Sequence, residues 1–323
     1  MTSTVAISKI EDGIKIQRWF MRHFPQLTIG EFRKLCRTGQ IRVNAGRVRG
    51  NETLYADDIV RVPPMAAAKV ESRKPKAESG ARFSMADLEK LRKRIIHDDA
   101  DIVVFDKPAG LAVQGGTGIK KSMDKMVAAM FPHDNIMLVH RLDRETSGII
   151  IIAKNQIAAQ KLSEEFRDKK VVKEYLALLS GTVKSKRGTI DNYMAKGRIF
   201  ANEEVEVFRD AGLKPQRAIT KYRVLYELKD GALTLMQFFP ETGRTHQLRL
   251  HSAFSLHAPI VGDKLYSPGN PAETAILTCN DHLFLLARRL TFFHPASGEQ
   301  MTLSVPVPEF MKSVLKLIGY DKE

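Results

Sequence analysis

Four consecutive isoleucines occupy the centre of Gly148–Ala153 (GIIIIA). A run this apolar, this short and this rich in β-branched side chains reads as a buried strand. It commits the second half of the chain to a sheet. Ile102–Phe105 (IVVF), Val171–Leu179, Ala218–Tyr226 and Leu233–Phe239 have strand composition as well. Ile157–Arg167 has helical spacing through Ile157, Leu162 and Phe166, and Thr245–Phe254 reads as a second helix after Gly243. Asp106–Gly110 (DKPAG) reads as a turn. Strands outnumber helices and come in consecutive pairs, so the expected class is α+β with a mixed, largely antiparallel central sheet. No internal repeat is visible.

Length and charge divide the chain. Its 323 residues allow two domains, at most three. The net charge is +14, and the first 94 residues hold +10 of it. Residues 1–64 carry 11 basic and 6 acidic side chains and form a small α/β unit. There Ile14, Ile16, Trp19 and Phe20 line one face of a helix ending near Pro25. Thr28 and Glu31 make a capping box for a second helix, which Gly39 stops. Gly39–Asn44 and Asp58–Val62 alternate as strands, Asn44-Ala45-Gly46 reads as a turn, and Pro63-Pro64 ends the unit. Residues 65–93 form a basic linker poor in large apolar groups, and Leu88–Arg94 a short basic helix at its end. Residues 94–323 form the larger domain. A basic module joined to a nearly neutral body points to a polyanion partner.

Several chemistries are disfavoured. No run approaches the ~18 apolar residues of a membrane span, and MTSTVAISKIEDG is not a secretory signal. Cys36 and Cys279 are too few for a disulfide framework or a four-cysteine metal site, and a reducing cytoplasm is expected. Gly115–Ser122 (GGTGIKKS) misses the phosphate-loop pattern, because no lysine directly follows its last glycine. His246 and His251 are five apart rather than four and lack the accompanying glutamate of a helical zinc site. There is no Gly-x-Ser-x-Gly elbow. Asp98, Asp99 and Asp101 are most simply turn and capping groups.

One stretch stands apart. His140-Arg141-Leu142-Asp143-Arg144-Glu145-Thr146-Ser147-Gly148 leads directly into the isoleucine strand. An acid on a rigid sheet edge, flanked by two arginines that keep it ionised, has the ingredients of a reactive site. Arg141 and Arg144 could meet a phosphate or stack on a base. The same residues could equally form a structural salt bridge in a tight turn, and physics alone leaves both readings open.

HRLDRETSG closely resembles the signature of the RluA-type pseudouridine synthases. Other segments agree in order. IIHDDADIVVFDKPAGLAV resembles that family's strand and K-P-x-G-L turn, and Lys173-Glu174-Tyr175-Leu176-Ala177 its K-x-Y-x-A motif. Thr242–His251 (TGRTHQLRLH) resembles T-G-R-x-H-Q-[LI]-R-x-H, and Pro259–Asp263 the P-I-x-G-D turn. The similarity covers about residues 94–307. Residues 1–64 are similar to an S4-type RNA-binding domain. That order of domains resembles the enzymes of the RluC or RluD kind, which act on large-subunit ribosomal RNA; the linker and KEYLAL run are nearer the first. Ala258, Leu286 and Ile29 depart from family habit, none at a predicted catalytic position.

The resemblance implies a pseudouridine synthase fold, isomerisation of uridine to pseudouridine within 23S ribosomal RNA, and no cofactor or metal. It implies Asp143 as nucleophile, at C1′ or C6 or through a glycal, Arg249 as the partner that orients Asp143, and Tyr175 against the uracil. Arg141 is implied at the space an extruded base vacates, with Arg244 and His246 as further RNA contacts. Arg33, Lys34, Arg37 and Arg42 of the S4-like unit are expected to bind phosphates. The partner is RNA, as 23S rRNA or a large-subunit assembly intermediate, with no DNA or membrane role and a monomeric protein. An RNA-binding or ribosome-assembly factor without activity, and a synthase acting on tRNA, are the alternatives.

Overall fold

The computed structural model describes the chain except residues 1–2, 9–10, 25–26, 28, 64–82, 117–118, 120, 196, 201–213, 229–230, 268–281 and 321–323. The Thr28 cap, the linker up to residue 82, part of the 115–122 loop and Cys279 therefore lie outside the described residues. The chain divides into two compact units, Met1–Ala81 and Arg82–Glu323.

In the first unit, β1 (Ser3–Ala6), α1 (Ile16–His23), α2 (Ile29–Arg37), β2 (Arg42–Val43), β3 (Gly46–Arg47) and β4 (Ile59–Val62) follow in order. The strands form a sheet in the order β1-β4-β2-β3. Ile16, Trp19 and Phe20 of α1 are fully buried with Phe32 of α2, and the Phe20 and Phe32 rings lie 5.2 Å apart. The strand expected over Gly39–Asn44 shrinks to two residues. Asn44 and Ala45 both have positive φ (48° and 65°), the geometry of a two-residue hairpin turn. Asn44 steadies it by accepting from the Ile59 N–H and donating to Asp58.

The second unit begins with α3 (Met85–Arg92), β5 (Ile95–Asp98), β6 (Ile102–Lys107), α4 (Met123–Met130), β7 (Met137–Leu138), β8 (Ser147–Ala153) and α5 (Gln156–Arg167). It continues with β9 (Val172–Ser180), β10 (Arg187–Ala195), β11 (Arg198–Phe200), β12 (Gln216–Glu227) and β13 (Leu233–Pro240). Helix α6 (Gln247–Leu250) runs into a wider π turn at His251–Ser255, and β14 (Leu285–Phe293), β15 (Gln300–Ser304) and α7 (Glu309–Leu317) close the unit. Its sheet has the order β11-β10-β12-β13-β9-β14-β8-β6-β5, with β15 on β14 and β7 on β8. Among the described strands, β14–β8 is the one parallel pair, through Leu286↔Ser147 and Ala287↔Gly148. This is the α+β class with a largely antiparallel sheet.

The isoleucine run is apolar on every residue because β8 is covered on both faces. Ile149 and Ile151 pack with Ala158 and Leu162 of α5. Ile150 and Ile152 pack with Met123, Met126, Val127 and Met130 of α4. Burying each isoleucine contributes roughly 1.5–3 kcal/mol, which anchors the loop entering β8 to a strand buried along its whole length.

Four local expectations are corrected. Asp106 and Lys107 belong to β6, opposite Ile149 and Gly148, and the turn starts only at Pro108, which has no N–H to extend the ladder. Ile157 is 66% exposed, so α5 buries a stripe through Ala158 and Leu162 instead. The Leu88–Arg94 helix starts earlier and ends at Arg92, because Ser84 and Asp87 form a reciprocal capping box. The Thr245–Phe254 helix starts at Gln247, after His246 in a left-handed conformation, and widens after Leu250.

Candidate active site

The loop His140–Thr146 is held from three sides. Lys107 is fully buried, yet among the described residues no carboxylate pairs with it. Its ammonium donates to the carbonyl oxygens of Pro108 (2.9 Å), Leu111 (2.9 Å) and Arg144 (3.0 Å). Three N–H groups meet three acceptors. Burial pulls the Lys107 pKa down to about 7, against the opposing pull of Glu145, Asp143 and Asp106. Gly110 N–H donates to the Arg144 carbonyl, and Arg144 Nε donates back to the Gly110 carbonyl. Lys107 at the end of β6 and the turn that follows it are thus the floor under the loop. On the other flank His140 stacks on Phe166 (4.5 Å), and its Nε2 accepts the Ile151 N–H. Burial, then Lys173, pushes the His140 pKa to about 3, so the ring is neutral and free to accept.

Asp143, so positioned, lies in a cavity of about 100 Å³ together with Arg141, Tyr175 and Arg249. That volume holds several waters or one flat ring. The Asp143 carboxylate is half-buried, and among the described residues no hydrogen bond or ion pair holds it. Tyr175 enters from β9, beside Phe238 of β13 and Ala287 of β14. Burial first and Asp143 second raise its pKa, so the phenol keeps its proton. It can offer a ring face and an O–H donor but is not a resting base. Arg141 is exposed at the cavity's rim.

Arg249 differs from expectation in its direct partner. Its Nε and Nη2 donate to the two Asp263 oxygens at 2.7 and 2.6 Å, in a bidentate pair that is 6% and 2% exposed. Asp263 Oδ1 also accepts the N–H groups of Leu265 and Tyr266, and the guanidinium lies 5.1 Å from the Tyr266 ring centre. The side-by-side fit of guanidinium and carboxylate explains the choice. Burial works against the Arg249 charge; Asp263, and then Asp143, outweigh it and raise its pKa. Arg249 is therefore a fixed cation lining the cavity that holds Asp143, without a hydrogen bond to it among the described residues.

A buried polar network pins α6 against β12. Thr242 Oγ1 accepts the Ile219 N–H and donates to Gln247 Oε1, while Gln247 Nε2 reaches the Ile219 carbonyl and Thr220 Oγ1. His251 lies between Thr220 Oγ1 (2.9 Å) and Asn192 Oδ1 (3.0 Å). Most of the TGRTHQLRLH segment is thus explained by satisfied hydrogen bonds. His246 faces the Tyr266 hydroxyl at 2.8 Å, and exposed Arg244 donates to the Arg217 carbonyl and Gln216 Oε1.

In the first unit, Arg33, Lys34 and Arg37 are exposed on α2, opposite buried Phe32, Leu35 and Cys36. Arg42 behaves otherwise. It is half-buried, and its Nε and Nη1 tie the Gly39 and Ala45 carbonyls of the hairpin.

Sequence reasoning missed Lys107, Gln247 and Tyr266 as site residues and named Asp263 only within a turn. Only the motif strings around them gave a signal. Among the described residues, His97, Asp99 and His294 form the one group with metal-ligand spacing. His294 Nδ1 accepts the Ala296 and Ser297 N–H groups, so Nε2 carries the proton and donates to Asp99. Asp99 Oδ1 meanwhile caps Asp101 and Ile102. The group is a hydrogen-bonded turn lock, not a ligand set.

Comparison with known proteins shows the family of the chain. The family described as RNA pseudouridylate synthase matches residues 101–254. "Ribosomal large subunit pseudouridine synthase C" of Pasteurella multocida is 32% identical over 319 residues, covering 98% of this chain and 94% of that protein. The Escherichia coli protein of the same name is 32% identical over 315 residues, covering 97% and 95%. Among solved structures, human RNA pseudouridylate synthase domain containing 4 aligns with TM-score 0.57 and 27% identity, over 72% of this chain and 95% of its own.

Proposed function

Because the chain belongs to the RluA-type RNA pseudouridine synthases, which are isomerases, we propose that it converts specific uridines of large-subunit ribosomal RNA to pseudouridine with Asp143 as the nucleophile. The observation that carries this reading is one cavity holding an unpaired carboxylate, a protonated tyrosine and a locked arginine cation.

In the reaction the C1′–N1 bond breaks, the uracil turns, C5 joins C1′, the C5 proton leaves and N1 takes up a proton. One proton lost at C5 and one gained at N1 balance the atoms. A carboxylate without a hydrogen-bond donor of its own retains its nucleophilicity, and the Arg249–Asp263 pair fixes a guanidinium in the same cavity. Arg249 would be a positioning residue for Asp143. Attack at C1′, addition at C6 and a glycal route all begin from this arrangement. Tyr175 would stack on the uracil and guide the proton with its O–H. Extrusion of the base costs a few kcal/mol, and exposed Arg141 would fill the vacated space.

The first unit would supply affinity through Arg33, Lys34 and Arg37, with salt-sensitive phosphate contacts; Arg42 would serve that surface indirectly by shaping the hairpin. The test incubates the full chain with large-subunit rRNA and maps pseudouridine by carbodiimide-dependent primer-extension stops. Wild-type protein gives stops at discrete uridines. Asp143→Asn loses the activity by a factor of roughly 10⁴ or more while still binding RNA. Retained modification in Asp143→Asn defeats the nucleophile assignment.

A further inference from the structure

Beside the Asp143 cavity lies a larger one, of about 780 Å³, which shares Gly243–His246 as a wall with it. Its size falls within the ~300–1,000 Å³ range of small-ligand sites. No step of the isomerisation uses it. Its chemistry is nevertheless specific. The Tyr266 ring stands edge-on to His246 (5.6 Å, 73°) and to Phe254 (6.1 Å, 73°), forming an aromatic corner. Met194 and Leu250 give it apolar surface, Lys214 and Arg244 bring cations, and the Gln216 amide adds a donor. The Gln216 oxygen already accepts from Arg244, so its N–H₂ group is the end available for a ligand.

His246 adds an independent sign. It holds a left-handed conformation (φ 57°) that a non-glycine residue adopts at a cost, and there its ring bonds the Tyr266 hydroxyl. Such strain persists where the surroundings enforce it and concentrates at ligand clamps. Tyr266 also links the two cavities, since it flanks the Arg249 guanidinium on one side and lines the second cavity on the other.

We propose that this second cavity is a subsite for the nucleotide adjoining the extruded uridine, with the base against Tyr266 and His246 and its phosphate near Lys214 and Arg244. The proposal rests on the pseudouridine synthase reading. An RNA strand is continuous, so a uracil in the first cavity places its neighbour's ribose at the shared wall. Stacking surface, flanking cations and one amide donor match a single-stranded nucleotide better than a duplex, where bases offer no free face. The subsite thereby makes binding depend on a base being present beside the target.

The experiment uses an rRNA fragment containing a uridine that the full chain modifies. It is synthesised with base-free ribose at each of the two positions on either side of the target, one at a time. Binding and turnover are measured separately. A stacked base is worth about 1–3 kcal/mol, so at one flanking position loss of the base should weaken binding by wild-type protein about tenfold or more. In Tyr266→Leu that penalty should fall below about twofold, while Tyr266→Phe, which keeps the ring, should retain it. Exposed Lys214→Ala should weaken all these RNAs alike and reduce the salt slope by about one. Base loss that multiplies independently with Tyr266→Leu at all four positions overturns the subsite. A fragment that is modified normally but bound without the position-specific, Tyr266-dependent penalty overturns the subsite and leaves the reaction standing; the reaction itself falls only in the pseudouridine mapping described above.

Discussion

Gly148→Ala isolates the contact that joins the two halves of the large sheet. Gly148 has φ +110°, pairs with Lys107 on β6, and faces Ala287 of β14 on the other side. A Cβ there would lie 2.2 Å from the Ala287 oxygen, 2.7 Å from its carbonyl carbon and 2.8 Å from its nitrogen. All three are main-chain atoms in a packed sheet, so no side chain can rotate away. Relief needs β8 and β14 to part by about 1 Å in an interior of low compressibility. The backbone conformation costs about 1–3 kcal/mol for a non-glycine residue, and overpacking adds about 1–3 kcal/mol or more. The sum is about 2–6 kcal/mol, and at about 2–4 °C per kcal/mol for a unit of this size the melting temperature should fall by about 4–24 °C. Two controls separate the terms. Gly110→Ala has φ +82° but nothing within 4 Å, so it carries backbone strain alone. Gly243→Ala has neither problem and should be nearly neutral in stability. Thermal unfolding of the three variants by circular dichroism is the assay. If Gly148→Ala melts within about 2 °C of wild type, or no lower than Gly110→Ala, the steric argument is wrong.

Two further outcomes follow from the site. Asp263→Asn removes one charge of a buried bidentate pair, so urea unfolding should show a loss of about 3–5 kcal/mol accompanied by slower turnover; a loss below about 1 kcal/mol would mean that Arg249 finds another partner. His251 has its pKa lowered to about 4 by burial, despite Asp191. The unfolded chain therefore takes up a proton between about pH 6.5 and 4 that the folded chain refuses. The stability contribution is full above that window and is lost as the pH falls through it, so His251→Gln should flatten the acid side of the stability profile, and an unchanged slope would refute the link.

Much of this architecture is visible in the chain before any coordinates. GIIIIA announces β8 because both its faces are covered, and the HRLD, KEYLA and TGRTHQLRLH segments point to Asp143, Tyr175 and Arg249, which share one cavity. Strand β14 was unreadable because a register shift between Ala287 and Arg289 interrupts its alternation. Strand β10 hides its buried row behind a polar member, Asn192, whose partner His251 is 59 residues away. The direct partner of Arg249 was misjudged for a similar reason. Which of two acids a guanidinium grips is decided by the turn after residue 260, not by the motif that contains it.

Lys107 carries a consequence for the family of sequences able to build this loop. Its nitrogen is a tripod, with one leg to each of three main-chain oxygens, and one of those belongs to Arg144, 37 residues ahead. The flat fork of an arginine has the wrong symmetry for that seat, and an apolar side chain would strand the Pro108 and Leu111 oxygens in a dry place, the Arg144 oxygen keeping only the Gly110 N–H. The shape of the segment presenting Asp143 is therefore written partly at a distant position that does not line the cavity, and the lysine ammonium is matched to the three oxygens found there.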